Sequence, residues 1–313
     1  MRIVFMGTPD FAVPSLDILV KNGYDVVLVI TQPDKPKGRG HQMACSPVKE
    51  YAVRNGLPVE QPEKIGDEAC IAKLKALKPD LFITCAFGQF LPQRVLDIPI
   101  QGTINVHGSL LPKYRGAAPI QWAIINGDKK TGITTMMTVL KMDTGDILMQ
   151  SEIELDDEIT AGQLYDRMSL LGAETLLKTL QALEAGTLKP VPQPECDTCY
   201  AQKITRETGL IHWELPAVQI HNLVRGTNPW PGAYSFFKDE RMRVWKTQVI
   251  DQDKTTGSLP GTILSITKDG FDVQTGKGII RVVEVQCDNA KRLTVNQYVC
   301  GHLVRVGDRF GTQ

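Results

Sequence analysis

Along the first 160 residues, short apolar runs alternate with stretches in which apolar positions recur every three or four residues. Arg2 to Met6, Asp25 to Thr31 and Leu81 to Ala86 have the length and content of core strands, and Pro58 to Gln61 reads as a short strand. Between them, Phe11 to Asn22, the run from Ser46 to Gly56 and Asp67 to Leu77 carry helical periodicity, with Ser46 as N-cap, Pro47 at the first position and Gly23 and Gly56 as stops. This alternation predicts an α/β unit built on a Rossmann-like, doubly wound parallel sheet. Thr103 to His107 is a further strand, then Gly108 to Pro119 is too rich in Gly and Pro to be regular, and Ala117 to Asn126 resumes a helix. Gly132 to Leu140 and Ile147 to Leu155 are expected to be strands, and 161–185 is the longest helix, stopped by Gly186.

From residue 187 the pattern changes. Prolines at 190, 192 and 194 and the lack of any period predict an extended linker, so the expected division is a domain at 1–189, a linker at 190–207 and a second domain at 208–313. In that last part a helix at 217–225 precedes short strands near 233–237, 241–250, 261–267, 271–275 and 279–286, separated by Gly and Asp turns. Five strands and a closing helix predict a small β-barrel of the oligonucleotide-binding-fold type.

Composition narrows this picture without changing it. In 313 residues, 42% are hydrophobic and 22% charged, with 35 basic and 35 acidic side chains, so no global field draws the chain toward nucleic acid. Residues 208–313 hold 13 basic and 10 acidic side chains, a small excess that a solvated barrel surface explains as well as RNA binding does. No apolar run approaches a membrane span, and Met-Arg-Ile-Val-Phe-Met-Gly reads as a core strand rather than a signal peptide, so a cytoplasmic location is expected. Seven scattered cysteines, an odd number, argue for reduced thiols. Cys196-x-x-Cys199 with His212 and His221 beyond it admits a metal reading, but the histidine spacing does not suit a zinc finger and no second C-x-x-C exists, so two surface thiols explain the pair better; no metal site is expected.

Candidate chemistry concentrates in the strand at 103–107. On a period of two, Asn105 and His107 share a face, offering a neutral N–H donor for a developing oxyanion and an imidazole, a group whose ordinary pKa of about 6.5 suits proton transfer near neutrality. Asp143, in the turn Lys-Met-Asp-Thr-Gly-Asp, supplies a carboxylate that orients and charge-stabilises such a histidine. Taken alone, the same residues also describe a histidine satisfied at a strand end and an aspartate capping a turn. The turn Gly7-Thr-Pro-Asp lacks the G-x-G-x-x-G spacing and no G-x-x-x-x-G-K-[ST] occurs, so NAD and ATP are poor candidates. Residues 32–49 form a long polar segment with Lys35, Lys37, Arg39 and Lys49 against the single Asp34, either a solvated insertion or a contact for a polyanionic partner.

The run Asn-Val-His-Gly-Ser-Leu-Leu-Pro-Lys-Tyr-Arg-Gly-Ala-Ala-Pro at 105–119, followed by Met-Asp-Thr-Gly-Asp at 142–146, resembles the 10-formyltetrahydrofolate-dependent formyltransferases. Gly-Thr-Pro-Asp-Phe at 7–11, Gln-Pro-Asp-Lys-Pro-Lys-Gly-Arg-Gly at 32–40, Tyr-Ala-Gln-Lys at 200–203 and Asn-Pro-Trp-Pro at 228–231 extend the resemblance over nearly the whole chain, toward the branch that formylates methionyl initiator tRNA. It implies Asn105, His107 and Asp143 as the catalytic set, 10-formyltetrahydrofolate as formyl donor, and no metal. It also implies that the folate lies against Phe87, Gly88, Gln89, Leu91 and Ser109, Leu110, Leu111, Pro112, largely through backbone groups. Lys35, Lys37, Arg39 and Lys49 then fall in an insertion that meets the acceptor end of the initiator tRNA, and a monomer without membrane contact is expected. Other acceptors remain open, such as the amine of a sugar nucleotide or of glycinamide ribotide. So does a non-catalytic RNA-binding protein.

Overall fold

The structure is a computed structural model that describes residues 1–37, 42–195 and 198–311. By packing the chain forms two compact units that interleave in sequence: the first takes residues 1–119, 131–153 and 165–201, the second 120–130, 154–164 and 202–313.

The first unit is built on a seven-stranded sheet. Its strands are β1 (Arg2–Gly7), β2 (Asp25–Ile30), β5 (Val59–Glu60), β6 (Leu81–Cys85), β7 (Thr103–His107), β9 (Lys130–Met137) and β10 (Ile147–Glu154), in the order β10-β9-β7-β6-β1-β2-β5. Pairings β5-β2-β1-β6-β7 are parallel, and β9 runs antiparallel to β7. β1 and β6 are nearly continuous apolar runs because both faces of a parallel sheet are covered by helices, whereas β7 (Thr-Ile-Asn-Val-His) alternates. Val4 and Met6 pack with Ile71 and Leu74 of α3 (Glu68–Ala76) and Val95 and Leu96 of α4 (Gln93–Leu96) on one face. α1 (Val13–Lys21), preceded by a 3-10 turn at Asp10–Ala12, buries Leu16 and Leu19. The long α6 (Ala161–Glu184) lies against β7 and β9, where Gly172 approaches Val106 and Ile133 and Thr179 shares a hydrogen bond with Thr135 at 2.7 Å. From β1 the chain winds outward through β2 and β5, then returns to β6 on the other side. That reversal makes the carboxyl ends of β1 and β6 the switch point at which such sheets bind ligands.

Three segments expected to be irregular are ordered. Within 32–49, β3 (Lys35–Lys37) pairs antiparallel with β4 (Gln42–Ala44), while Lys49 lies in the expected helix, α2 (Pro47–Arg54), whose cap Ser46 accepts the Lys49 N–H at 3.1 Å. These strands are short and polar, so no alternation announced them. In the run after β7, β8 (Arg115–Gly116) pairs in parallel with β11 (Tyr200–Ala201). Residues of the expected linker are therefore part of the first unit; Val191 bridges Ile147 as well. Extended backbone rich in proline is indistinguishable from a linker until its partner strand is known. The helix after Pro119, α5 (Pro119–Ile125), is shorter than its apolar pattern.

In the second unit α7 (Ala217–Gly226) packs on a curled antiparallel sheet of β12 (Ala233–Phe237), β13 (Glu240–Asp251), β14 (Ile263–Thr267), β15 (Gly270–Gln274), β16 (Ile279–Cys287), β17 (Leu293–Thr294) and β18 (Phe310–Gly311). α8 (Val295–Gly301) starts with a capping box formed by Thr294 and Gln297. The bridge between Thr262 and Arg309 joins the two ends of the strand order, which gives the expected barrel-like form. Trp213, Phe237, Phe271 and Phe310 fill its interior, and Trp213 stacks on Phe310 at 5.1 Å. β17 and β18 were not expected, since two residues carry no readable period.

Candidate active site

β7 lies between β6 and β9, and its register sets the site. Asn105 is opposite Thr84 on one side and Met136 on the other, and His107 is opposite Thr134. The Thr84 hydroxyl donates to Asn105 Oδ1 at 2.9 Å, which occupies the amide oxygen and leaves the amide N–H groups to serve a ligand.

His107 is 6% exposed. Its Nε2 donates to the carbonyl of Tyr114 at 2.9 Å, because a carbonyl can only accept. In the neutral ring Nδ1 is then the basic nitrogen, and it stands 3.8 Å from Asp143 Oδ2. That separation exceeds a hydrogen bond, yet it puts a carboxylate beside an imidazole that takes up a proton. The same Oδ2 accepts the Gly116 N–H at 2.8 Å. The loop between β7 and α5 thus grips the histidine through Tyr114 and the aspartate through Gly116. Both Tyr114 (φ +61°) and Asp143 (φ +52°) adopt the left-handed backbone that L residues disfavour, and so does Ala86 (φ +46°) at the end of β6. Such conformations persist only where surrounding contacts hold them.

Apart from Ser109, those contacts come from residues that the sequence analysis did not name. Thr134 Oγ1 donates to the Ser109 carbonyl at 2.7 Å and accepts from Leu111 N at 3.0 Å, and Gln150 Nε2 donates to the Leu111 carbonyl at 2.9 Å. Ser109 Oγ closes the loop on the Lys113 carbonyl at 2.6 Å. Gln193 reaches in from the expected linker to Arg115 and to the Asp143 turn. Thr134 and Gln150 are polar positions inside strands, which was a usable hint. Gln193 offered none.

The segments assigned to the folate, 86–91 and 109–112, leave the carboxyl ends of the adjacent parallel strands β6 and β7. Phe87, Leu91 and Leu111 are at most 5% exposed, so their side chains belong to the core. Gln89 is committed as well, accepting from Ile65 N and donating to the Pro62 carbonyl. Ser109 is fully buried, Leu110 and Pro112 are half-buried, and Gly88 is exposed with space for a Cβ, the nearest atom being Gln32 Nε2 at 3.7 Å. Phe90, which was not in that set, is 60% exposed and presents a free ring face. Thr8 Oγ1 donates to the Phe87 carbonyl at 2.9 Å, tying the turn after β1 to the one after β6. Cys85, buried beneath, has its thiol pushed up to about 12 by desolvation and is unsuited to nucleophilic work.

Among the four basic residues of 32–49, Lys35 is exposed and Lys49 Nζ is paired with Asp34 at 2.6 Å. Arg39 and the Lys37 side chain lie outside the described residues. Cys196 does too, whereas Cys199 Sγ accepts the Tyr114 N–H at 3.3 Å. His221, the second histidine of the metal reading, is held by Thr247 and the Asp157 carbonyl in the second unit.

Residues 1–180 match the family described as Formyl transferase, and residues 203–303 match Formyl transferase, C-terminal domain. The chain is 53% identical over 311 residues to the methionyl-tRNA formyltransferase of Acetivibrio thermocellus, covering 99% of this chain and 100% of that protein. It is 50% identical to the methionyl-tRNA formyltransferase of Ruminiclostridium cellulolyticum over the same shares. Among solved structures it resembles a sugar 3N-formyl transferase, with a TM-score of 0.69 at 20% identity over 93% of this chain and 99% of that one. HypX from Aquifex aeolicus, solved with tetrahydrofolic acid, gives a TM-score of 0.61 at 20% identity over 96% of this chain and 47% of the other. With these matches in both halves, the chain belongs to the formyl transferase family.

Proposed function

We propose that the chain transfers the formyl group of 10-formyltetrahydrofolate to the α-amino group of methionine on initiator tRNA, yielding N-formylmethionyl-tRNA and tetrahydrofolate. The observation that carries this reading is the convergence of Asn105, His107 and Asp143 at the end of β7, in a chain 53% and 50% identical to two methionyl-tRNA formyltransferases over 99% of its length.

The chemistry follows from those three groups. A neutral amine attacks the formyl carbon, forming a C–N bond and a tetrahedral oxyanion, which the Asn105 amide stabilises by donating a hydrogen bond. The attacking nitrogen becomes an ammonium and must lose a proton; His107 Nδ1 accepts it, and the Asp143 carboxylate offsets the imidazolium charge. Collapse of the intermediate breaks the bond from the formyl carbon to the folate nitrogen, which leaves after gaining a proton. The amine is its own nucleophile, so no covalent enzyme intermediate enters.

We assign the folate to the cleft between 86–91 and 109–112, with backbone groups, the open Gly88 and the exposed Phe90 as its wall. The tRNA is assigned to the second unit and to the basic segment 32–49, with Lys35 as the exposed cation and Lys49 held by Asp34 at the base. The protein works as a monomer in the cytoplasm; among the described residues no helix is long and apolar enough to cross a membrane.

Purified protein is assayed for formyl transfer from 10-formyltetrahydrofolate to methionyl initiator tRNA and, in parallel, to an amino-sugar nucleotide. Formylation of the tRNA is expected. Turnover of the sugar nucleotide with none of the tRNA would overturn the reading. Trypsin cleavage within 32–49 is expected to slow when initiator tRNA is added.

A further inference from the structure

Gln193 lies 50 residues beyond Asp143 and 78 beyond Arg115, in a stretch with the composition of a linker. Its carboxamide uses its full hydrogen-bonding capacity at the site. Nε2 donates to the Asp143 carbonyl at 2.9 Å and to the Gly145 carbonyl at 2.7 Å, and Oε1 accepts from Arg115 Nε at 3.0 Å and Nη2 at 2.8 Å. Arg115 is 4% exposed, so this is a buried clamp. The residue after Arg115 is Gly116, whose N–H is bonded to the Asp143 carboxylate, and the residue before it is Tyr114, whose carbonyl holds His107. The contacts close into a ring from Asp143 through Gln193 and Arg115 to Gly116 and back to Asp143.

We propose that Gln193 is a positioning residue of the active site: its carboxamide fixes the left-handed Asp143 turn against the Tyr114–Gly116 loop, and so sets the carboxylate at its distance from His107. This rests on the catalytic reading of His107 and Asp143. Side-chain packing alone does not provide this control, because the turn 142–145 is gripped at its backbone carbonyls, which only a donor can hold. A carboxamide is the one group of its size with two donors and an acceptor in the right order. Glutamate keeps the size and the bond to Arg115 but turns lone pairs toward two carbonyls.

Gln193→Glu is therefore the discriminating variant. It is expected to lower kcat by about 10- to 100-fold, the scale of a misplaced catalytic group, with KM for 10-formyltetrahydrofolate within about twofold and the melting temperature near that of the unsubstituted protein. Hydrogen exchange at the Gly116 amide is expected to speed up. Gln193→Met, which removes both halves of the clamp, gives the same two readouts should the glutamate variant not fold. Unchanged kcat in a folded variant of an active enzyme overturns the proposal, as does an equal loss of stability and kcat with Gly116 protection retained. If the unsubstituted protein transfers no formyl group, the catalytic reading fails, and Gly116 exchange still decides whether Gln193 holds the turn.

Discussion

Asp143 Oδ2 stands 3.8 Å from His107 Nδ1 while accepting the Gly116 N–H at 2.8 Å, so the carboxylate is anchored to backbone and offered to the histidine as a charge. The histidine is oriented from its other side, by the Tyr114 carbonyl. His107→Ala is expected to lower kcat by on the order of 10²-fold or more, the scale of a lost general base. Asp143→Asn retains an oxygen for Gly116 but removes the charge, so it should fall as far in kcat while melting closer to the unsubstituted protein than Asp143→Ala. Steady-state kinetics beside melting curves checks both; wild-type kcat in Asp143→Asn would refute the charge role.

The Thr84 hydroxyl fixes which end of the Asn105 amide faces outward. Asn105→Ala should cost about 2.7–4 kcal/mol of transition-state stabilisation if its N–H meets the oxyanion. Thr84→Val, nearly isosteric, releases the amide to rotate and is expected to lower kcat by a smaller factor, roughly tenfold, with little change in folate KM. A Thr84→Val enzyme with kcat equal to that of the parent would show that the hydroxyl does not orient Asn105.

Gly145 has no room for a side chain: an added Cβ would meet the Met137 carbonyl oxygen at 1.8 Å. Backbone cannot step aside as a flexible side chain would. Gly145→Ala should therefore displace the Asp143 turn, destabilising the protein by roughly 1–3 kcal/mol as overpacking does and lowering kcat more than folate affinity. Denaturant unfolding and kinetics on one preparation test this together; unchanged stability would mean that the turn accommodates the methyl group.

Asp34 anchors the base of the β3–β4 hairpin. The Gln61 amide at 2.7 Å and the Lys49 ammonium at 2.6 Å hold its carboxyl below the usual carboxylate value. A pKa depressed by folding means that the contribution is complete above the unfolded value, near 3.9, and is lost as pH falls through the folded one. Hydrogen exchange in 33–49 should thus be flat between pH 7 and 5, apart from the intrinsic exchange rate, and accelerate below about 4. Asp34→Asn should abolish that acid step; its persistence would place the titrating group elsewhere.

The sequence by itself determined the sheet and most of the helices and put Asn105 and His107 side by side, because these rest on local properties. Buried parallel strands such as β1 and β6 must be apolar throughout, helices such as α2 announce their caps, and the period of two puts Asn105 and His107 on one face before any partner strand is known. Asp143 was a candidate from its turn, but only the family resemblance joined it to His107, across a distance in sequence that no periodicity bridges. Only the tertiary structure decided what holds these groups in place. Thr84, Thr134 and Gln193 act through hydrogen bonds to residues 21 to 78 positions away, and a hydrogen bond between distant segments leaves no periodic trace in either. For the same reason the stretch around Gln193 reads as a linker: its extended, proline-rich backbone satisfies itself by pairing Val191 with Ile147 and Tyr200 with Arg115, partners that exist only once the sheet has formed.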